Sequence, residues 1–178
     1  TAGILRVISS TPTNTQPVVD AIVESALRIF GGHGVGILLR DGDRVQLGST
    51  GGKLDLESTR KRYPLPLDRN TVAGRAIMEK AVIDIADIEA TDTPDVAKAL
   101  GRELGYHAII AAPMIRDGLA IGAVAVTRKQ PGAMSDKEVA LLQTFADQAV
   151  IAIQNARLFN ETREALERQT ATAEILSV

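Results

Sequence analysis

Cysteine is absent from the 178 residues, and so is tryptophan. Without a thiol the chain has no disulfide, no Cys-based zinc site, no thiolate nucleophile and no thioether-linked chromophore. Aromatic residues make up only 3% of the sequence. The core must therefore be built from Ala, Val, Ile and Leu, and surfaces for base stacking or haem packing are limited. An excess of one charge is lacking too: 20 Lys and Arg against 22 Asp and Glu leave a formal charge of −2, and no segment is strongly basic. Nucleic-acid binding draws most of its affinity from a dense cationic face, so no nucleic-acid partner is expected. Long apolar runs are missing as well. Ala108–Met114 and Ala120–Val126 fall far short of the roughly 20 residues a membrane span needs, and no signal peptide is read at the start. The chain opens on Thr1 rather than Met. It is read as a segment of a longer protein, from a soluble, cytoplasmic region with no membrane partner.

What is present is the material of one ordinary domain with an appended helix. Residues 45% hydrophobic and 24% charged suit a globular chain with a sizeable core. Ile4, Leu5 and Ile8 suggest a leading helix over residues 1–12. Asn14 is placed to cap the next helix, with Pro17 in its first turn. Val18, Val19, Ile22, Val23, Ala26, Leu27 and Phe30 then recur at helical spacing until Gly31 and Gly32 stop the run. Two hairpins follow from Asp-Gly turns between β-rich segments: Gly34–Leu39 with Arg44–Leu47 around Asp41-Gly42, and Ala108–Ile115 with Leu119–Val126 around Asp117-Gly118. Between them Ser49–Pro66 reads as a long polar loop, Thr71–Lys80 as a short helix and Ala81–Ile88 as a strand. Thr93-Pro94-Asp95 opens a helix, with Thr93 capping, that ends at Gly105.

Ser135-Asp136-Lys137-Glu138 is a capping box at the head of the longest helix, which runs about 40 residues without Gly or Pro. Leu142, Phe145, Ala149, Ala152, Ala156, Phe159 and Leu166 follow a 3-4 spacing along it. That is a heptad seam, and the seam predicts a homodimer. Residues 161–178, polar all round, would then form an exit helix that needs a partner. Thr1–Val7 matches Thr172–Val178 at five of seven positions. The repeat suggests a tandem array in which the helix leaving one module leads into the next.

Sites of chemistry are sparse. No Ser stands in a nucleophile elbow and no glycine-rich phosphate loop occurs. His33, within Gly31-Gly32-His33-Gly34, reads as a solvated loop residue, and His107 as a residue at the head of a strand. Neither has the companion ligands of a metal or haem site. Asp84, Asp87, Asp92 and Asp95 could in principle bind a cation or serve acid–base work. They are read instead as loop solvation and a helix start, so no catalytic residue and no metal ligand is assigned.

The order and wording of these elements resemble the GAF family of sensor domains. The likeness is carried by Gly105-Tyr106-His107-Ala108-Ile109-Ile110-Ala111-Ala112-Pro113-Met114-Ile115-Arg116-Asp117-Gly118, by Ala120–Val126 and by the helix Leu141–Phe159. Val72–Ala76 and Ile83–Ile88 add weaker matches. The resemblance implies an α/β (α+β) fold over residues 13–160: a central antiparallel sheet of about six strands, terminal helices on one face, and pocket-covering helices and loops on the other. It further implies a bacterial signalling protein in which the domain binds a small ligand and acts on adjacent domains, such as a two-component histidine kinase. Members that bind cyclic nucleotides carry Asn-Lys after the last strand, then Phe, then Asp-Glu. Here Thr127-Arg128, Met134 and Glu138-Val139 stand in those places, so no cyclic nucleotide is expected. Bilin attachment and methionine sulfoxide reduction in the family both need Cys; neither these nor haem is expected as a cofactor or an activity. Polar ligand contacts are placed at Thr50, Asp87, Lys98, Arg102 and His107, with Lys98 and Arg102 one turn apart and suited to an anion. The competing reading is a structural dimerisation module whose pocket is vestigial.

Overall fold

The structure, a computed structural model, describes residues 15–176. The leading helix, Asn14 and the first half of the terminal repeat lie outside the described residues. Helix α1 (Gln16–Phe30) begins after Thr15, carries Pro17 in its first turn and buries Val18, Val19, Ile22, Val23 and Ala26. Its stripe is the predicted one, and Gly31 ends it at φ +60°.

Strands β1 (Gly34–Asp41) and β2 (Arg44–Gly52) form the first hairpin. Its turn is centred on Gly42 and Asp43, one residue later than expected, with Asp41 paired to Arg44. Gly42 alone of the pair takes positive φ, and glycine at the first central position of a two-residue turn is where such a conformation is cheapest. The expected long loop over Ser49–Pro66 is corrected: β2 continues to Gly52, and helix α2 (Leu56–Arg60) and the two-residue strand β3 (Leu65–Pro66) follow. Glycines hid the strand from a propensity reading. Gly51 is there because α1 lies on it: a Cβ would stand 2.8 Å from Val23 and 2.9 Å from Leu27.

Helix α3 (Val72–Glu79) is capped by Thr71, whose hydroxyl accepts from the Gly74 amide. Strand β4 (Ile83–Ile85) is shorter than the predicted Ala81–Ile88. The apolar residue that extended the reading, Ile88, is buried beneath helix α4 (Asp95–Leu104), where its side chain lies against Gly101. Thr93 does not cap α4; Pro94 occupies that place without a side-chain bond. Strands β5 (Ala108–Arg116) and β6 (Leu119–Arg128) form the second hairpin. Its Asp117-Gly118 turn has both residues at positive φ, as a type I′ turn requires. Helix α5 (Asp136–Leu176) opens on the predicted capping box, with Ser135 and Glu138 bonded reciprocally through side chain and amide.

The six strands make one antiparallel sheet in the order β3-β2-β1-β6-β5-β4. Strand alternation divides the interior in two. Val35, Ile37, Ile110, Ala112, Val124 and Val126 face α1 and α5, which also meet each other where Phe30 and Phe145 stack edge to face at 5.8 Å. Leu38, Ile109, Ala111, Ala123 and Ala125 face the other way, toward α3, α4 and the covering segments.

Candidate functional site

The second face is not filled. Between the sheet and the covering segments lies a cavity of about 50 Å³. Its floor is a cross-strand row of small residues, because Thr50, Gly36 and Ala125 are register partners on β2, β1 and β6. Small side chains in one row leave a hollow that larger ones would close. Leu54, Thr59 and Tyr63 from the α2 region, Thr71 and Val72 from the head of α3, and Ala97, Leu100 and Leu104 from α4 form the walls. Tyr106, released by the left-handed Gly105 at the end of α4, enters beside Ile109.

Most polar atoms in the cavity are already engaged. Thr50 donates to the Val35 carbonyl at 3.1 Å, Thr59 to the Asp55 carbonyl at 2.6 Å, and Thr127 to the Gly34 carbonyl at 3.2 Å. Thr127 also lies 3.3 Å from His33 Nδ1. With its own proton given to Gly34, the threonine oxygen is left to accept, so Nδ1 carries the hydrogen. Partial burial, then the ammonium groups of Lys53 and Lys129, hold the His33 pKa below its ordinary value. His33 is thus half-buried and tied to the cavity wall, not the solvated loop residue its glycine neighbours suggested. Burial pushes the Tyr63 phenol up to about 12 and Tyr106 higher still, with Tyr63 beside it adding to the shift.

Of the five predicted ligand contacts, Thr50 lines this cavity. The other four do not, and the reason is charge solvation. Arg102 makes a two-pronged pair with Glu89, at 2.8 and 2.6 Å, in the open. That guanidinium holds the Glu89 carboxyl below the usual range, and Lys98 and His107 add to the effect. The cations therefore come together, but around Glu89 on the outer surface. Asp87 is exposed and caps the Glu89 amide at 2.9 Å, and His107 Nδ1 meets the Lys129 carbonyl at 2.9 Å. What the sequence reading missed were Tyr63, Tyr106, Thr59, Thr71 and Thr127. One signal was available: the chain has two tyrosines in all, and both line the cavity.

The predicted dimer seam also divides. Leu142, Phe145, Ala149, Ala152 and Ala156 are buried in the domain's own core against the sheet and α1, so they are not free to meet a second chain. Phe159 and Leu166 remain exposed, at 44% and 61%. A different stripe of α5 is open before them, with Leu141, Ile151 and Leu158 all about half exposed. Among the described residues, no three His, Asp or Glu side chains gather as metal ligands, and no helix is long and apolar enough to cross a membrane.

The profile of the GAF domain family matches residues 13–154. No curated protein matches the chain. Among solved structures it is similar to the domain of a protein assigned as a two-component sensor histidine kinase from Sinorhizobium meliloti, with 18% identity, a TM-score of 0.68, and 82% of this chain and 94% of that one covered. It is similar also to a GAF domain/HD domain protein from Geobacter sulfurreducens, with 19% identity, a TM-score of 0.70, and 84% and 97% covered. A third, free methionine-R-sulfoxide reductase from Neisseria meningitidis in complex with its substrate, has 18% identity, a TM-score of 0.67, and 88% and 89% covered. At these identities the likeness is one of fold.

Proposed function

This chain belongs to the GAF domain family, and from that premise we propose that it is a non-catalytic sensor whose cavity takes a small molecule and whose last helix passes the signal on. The observation that carries this reading is the continuity of α5. Its first half is packed on the sheet as far as Ala156, and residues 161–173 are exposed throughout without a break in the helix. A rigid rod thus joins the core to whatever lies beyond the domain. The cavity and α5 sit on opposite faces of the same strands, with Ala125 and Thr127 of β6 toward the cavity and Val124 and Val126 toward the helices. A ligand that displaces β5 and β6 would move the surface on which α5 rests. Such coupling requires two arrangements of α5 with different ligand affinity. Residues 13–160 would be the sensing unit and 161–178 the exit helix toward an output domain such as a histidine kinase.

The sensor would act as a homodimer, through a stripe other than the predicted seam. Leu141, Thr144, Gln148, Ile151, Asn155, Leu158, Thr162 and Ala165 follow one 3-4 spacing without a single charge. An apolar groove at its outer end is lined by Asn155, Leu158, Phe159, Thr162 and Leu166. A buried Asn in such a stripe sets register between paired helices. Free methionine-R-sulfoxide reduction by a thiol has no counterpart here, since this chain has no cysteine.

A second reading, a dimerisation scaffold with a vestigial cavity, is favoured by size alone: about 50 Å³ is a third of the roughly 150 Å³ that admits benzene in an engineered apolar cavity. Native mass spectrometry of residues 1–178 separates the two. A dimer with a bound small molecule supports the sensor, a bare dimer supports the scaffold, and a bare monomer defeats the pairing of α5 in both.

A further inference from the structure

We infer that the ligand of the cavity is an uncharged, largely apolar small molecule whose hydrogen-bond acceptor, a carbonyl oxygen or ring nitrogen, is held by the hydroxyls of Tyr63 and Tyr106. The inference rests on the reading of the cavity as a ligand site and adds the chemical class of what enters it.

Among the described residues, no charged side chain lines the cavity. An ion buried there would lose its water and gain no counter-charge, at a cost of several kcal/mol. Phosphates, carboxylates and ammonium groups are thereby disfavoured. Two exposed arginines of the covering segments are paired with acids: Arg102 with Glu89, and Arg62, which precedes Tyr63, with Glu103 of α4. The walls Leu38, Leu47, Leu54, Val72, Leu100 and Ile109 offer dispersion contacts alone.

The hydroxyl inventory then points to the phenols. Thr50, Thr59 and Thr127 each donate to a backbone carbonyl, and the Thr71 oxygen accepts the cap of α3. Neither tyrosine hydroxyl makes a hydrogen bond among the described residues. A phenol is protonated at physiological pH and burial moves both further from ionising, so both are donors. A hydroxyl with no protein partner is free to donate to an acceptor that a ligand brings. Both phenols line the one cavity, so one acceptor atom with two lone pairs can serve both. With about 50 Å³ available, a ring-sized ligand must push the α2–α4 wall outward. The exposed Arg62–Glu103 pair, which joins those two segments, is the contact that would give way first.

The test is an amide-resolved NMR titration of the whole chain with three probes of one size: cyclopentanone, its hydrocarbon isostere methylenecyclopentane, and cyclopropanecarboxylate. Cyclopentanone is expected to shift the amides of Gly36, Tyr106 and Thr127 saturably. The hydrocarbon should bind about fivefold more weakly, the worth of one hydrogen bond, and the carboxylate should leave these amides unmoved. Tyr63→Phe and Tyr106→Phe should bring the ketone down to the level of the hydrocarbon without changing the hydrocarbon's own affinity, which also shows that each variant is folded. Carboxylate binding as tight as that of the ketone would overturn the ligand class and leave the cavity a ligand site. Equal binding of ketone and hydrocarbon to the unaltered chain would overturn the role of the phenols. If no probe moves the cavity amides, both this inference and the sensor reading fail together.

Discussion

His33 stands at the edge of the cavity with Lys53 and Lys129 near it and Thr127 bonded to its Nδ1. Its pKa in the folded chain lies below the 6.5 expected once unfolded. Below that pH the unfolded chain therefore binds more protons than the folded one, and stability falls as pH drops. Above it the residue makes no difference. Denaturant unfolding followed from pH 7.5 down to 5.5 should show this loss, and His33→Gln should flatten it. A profile unchanged by the substitution would remove His33 from the acid response. Arg102 illustrates the opposite case. Its guanidinium is committed to Glu89 in solvent, so Arg102→Ala should leave the affinity of any cavity ligand unchanged in the same NMR titration. Weakened binding would restore the anion-site reading of α4.

Helix α5 shows why a stripe and its partner are separate questions. Leu142, Phe145, Ala149, Ala152 and Ala156 have heptad spacing, but the surface they meet is their own sheet. Leu142 has no exposed surface. Leu142→Ala should therefore cost about 2–5 kcal/mol of unfolding free energy, the usual range for emptying such a site. Leu158, 58% exposed, should behave differently. Leu158→Lys is expected to leave the domain folded, within about 0.5 kcal/mol, as surface changes do. In sedimentation velocity it should shift the dimer to monomer. A dimer that survives Leu158→Lys would place the interface elsewhere.

At the scale of the whole molecule, the sheet is a thin partition with the cavity on one face and α1 and α5 on the other. Ala125 sits in the floor of the cavity, 4% exposed. Ala125→Leu adds carbon to a hollow of about 50 Å³, so the unliganded domain should melt no lower unless the new side chain overfills it. Ligand-induced change in α5 should be lost, while dimerisation persists. If a ligand still changes α5 in Ala125→Leu, the cavity is not the sensor and the scaffold reading stands.

Local chemistry was enough for most of the elements, but not for α2, β3 or the far half of β2. The stop at Gly31, the Asp117-Gly118 turn, the Ser135 cap and the alternation of β5 and β6 are all interactions within a few residues of chain. Such interactions are legible because period and turn chemistry are properties of the segment itself. The order and wording of those segments carried the family likeness, and the six-stranded architecture was what that likeness implied. Tertiary structure decided the rest. Whether Gly51 belonged to a loop or a strand depended on α1 lying across it. Whether Arg102 and His107 lined the cavity depended on partners far along the chain, Glu89 for Arg102 and the Lys129 carbonyl for His107. The cavity itself exists because Thr50, Gly36 and Ala125, distant in the chain, fall into one register row. A hollow is made by what several strands leave unfilled between them, and no single stretch of sequence carries that information.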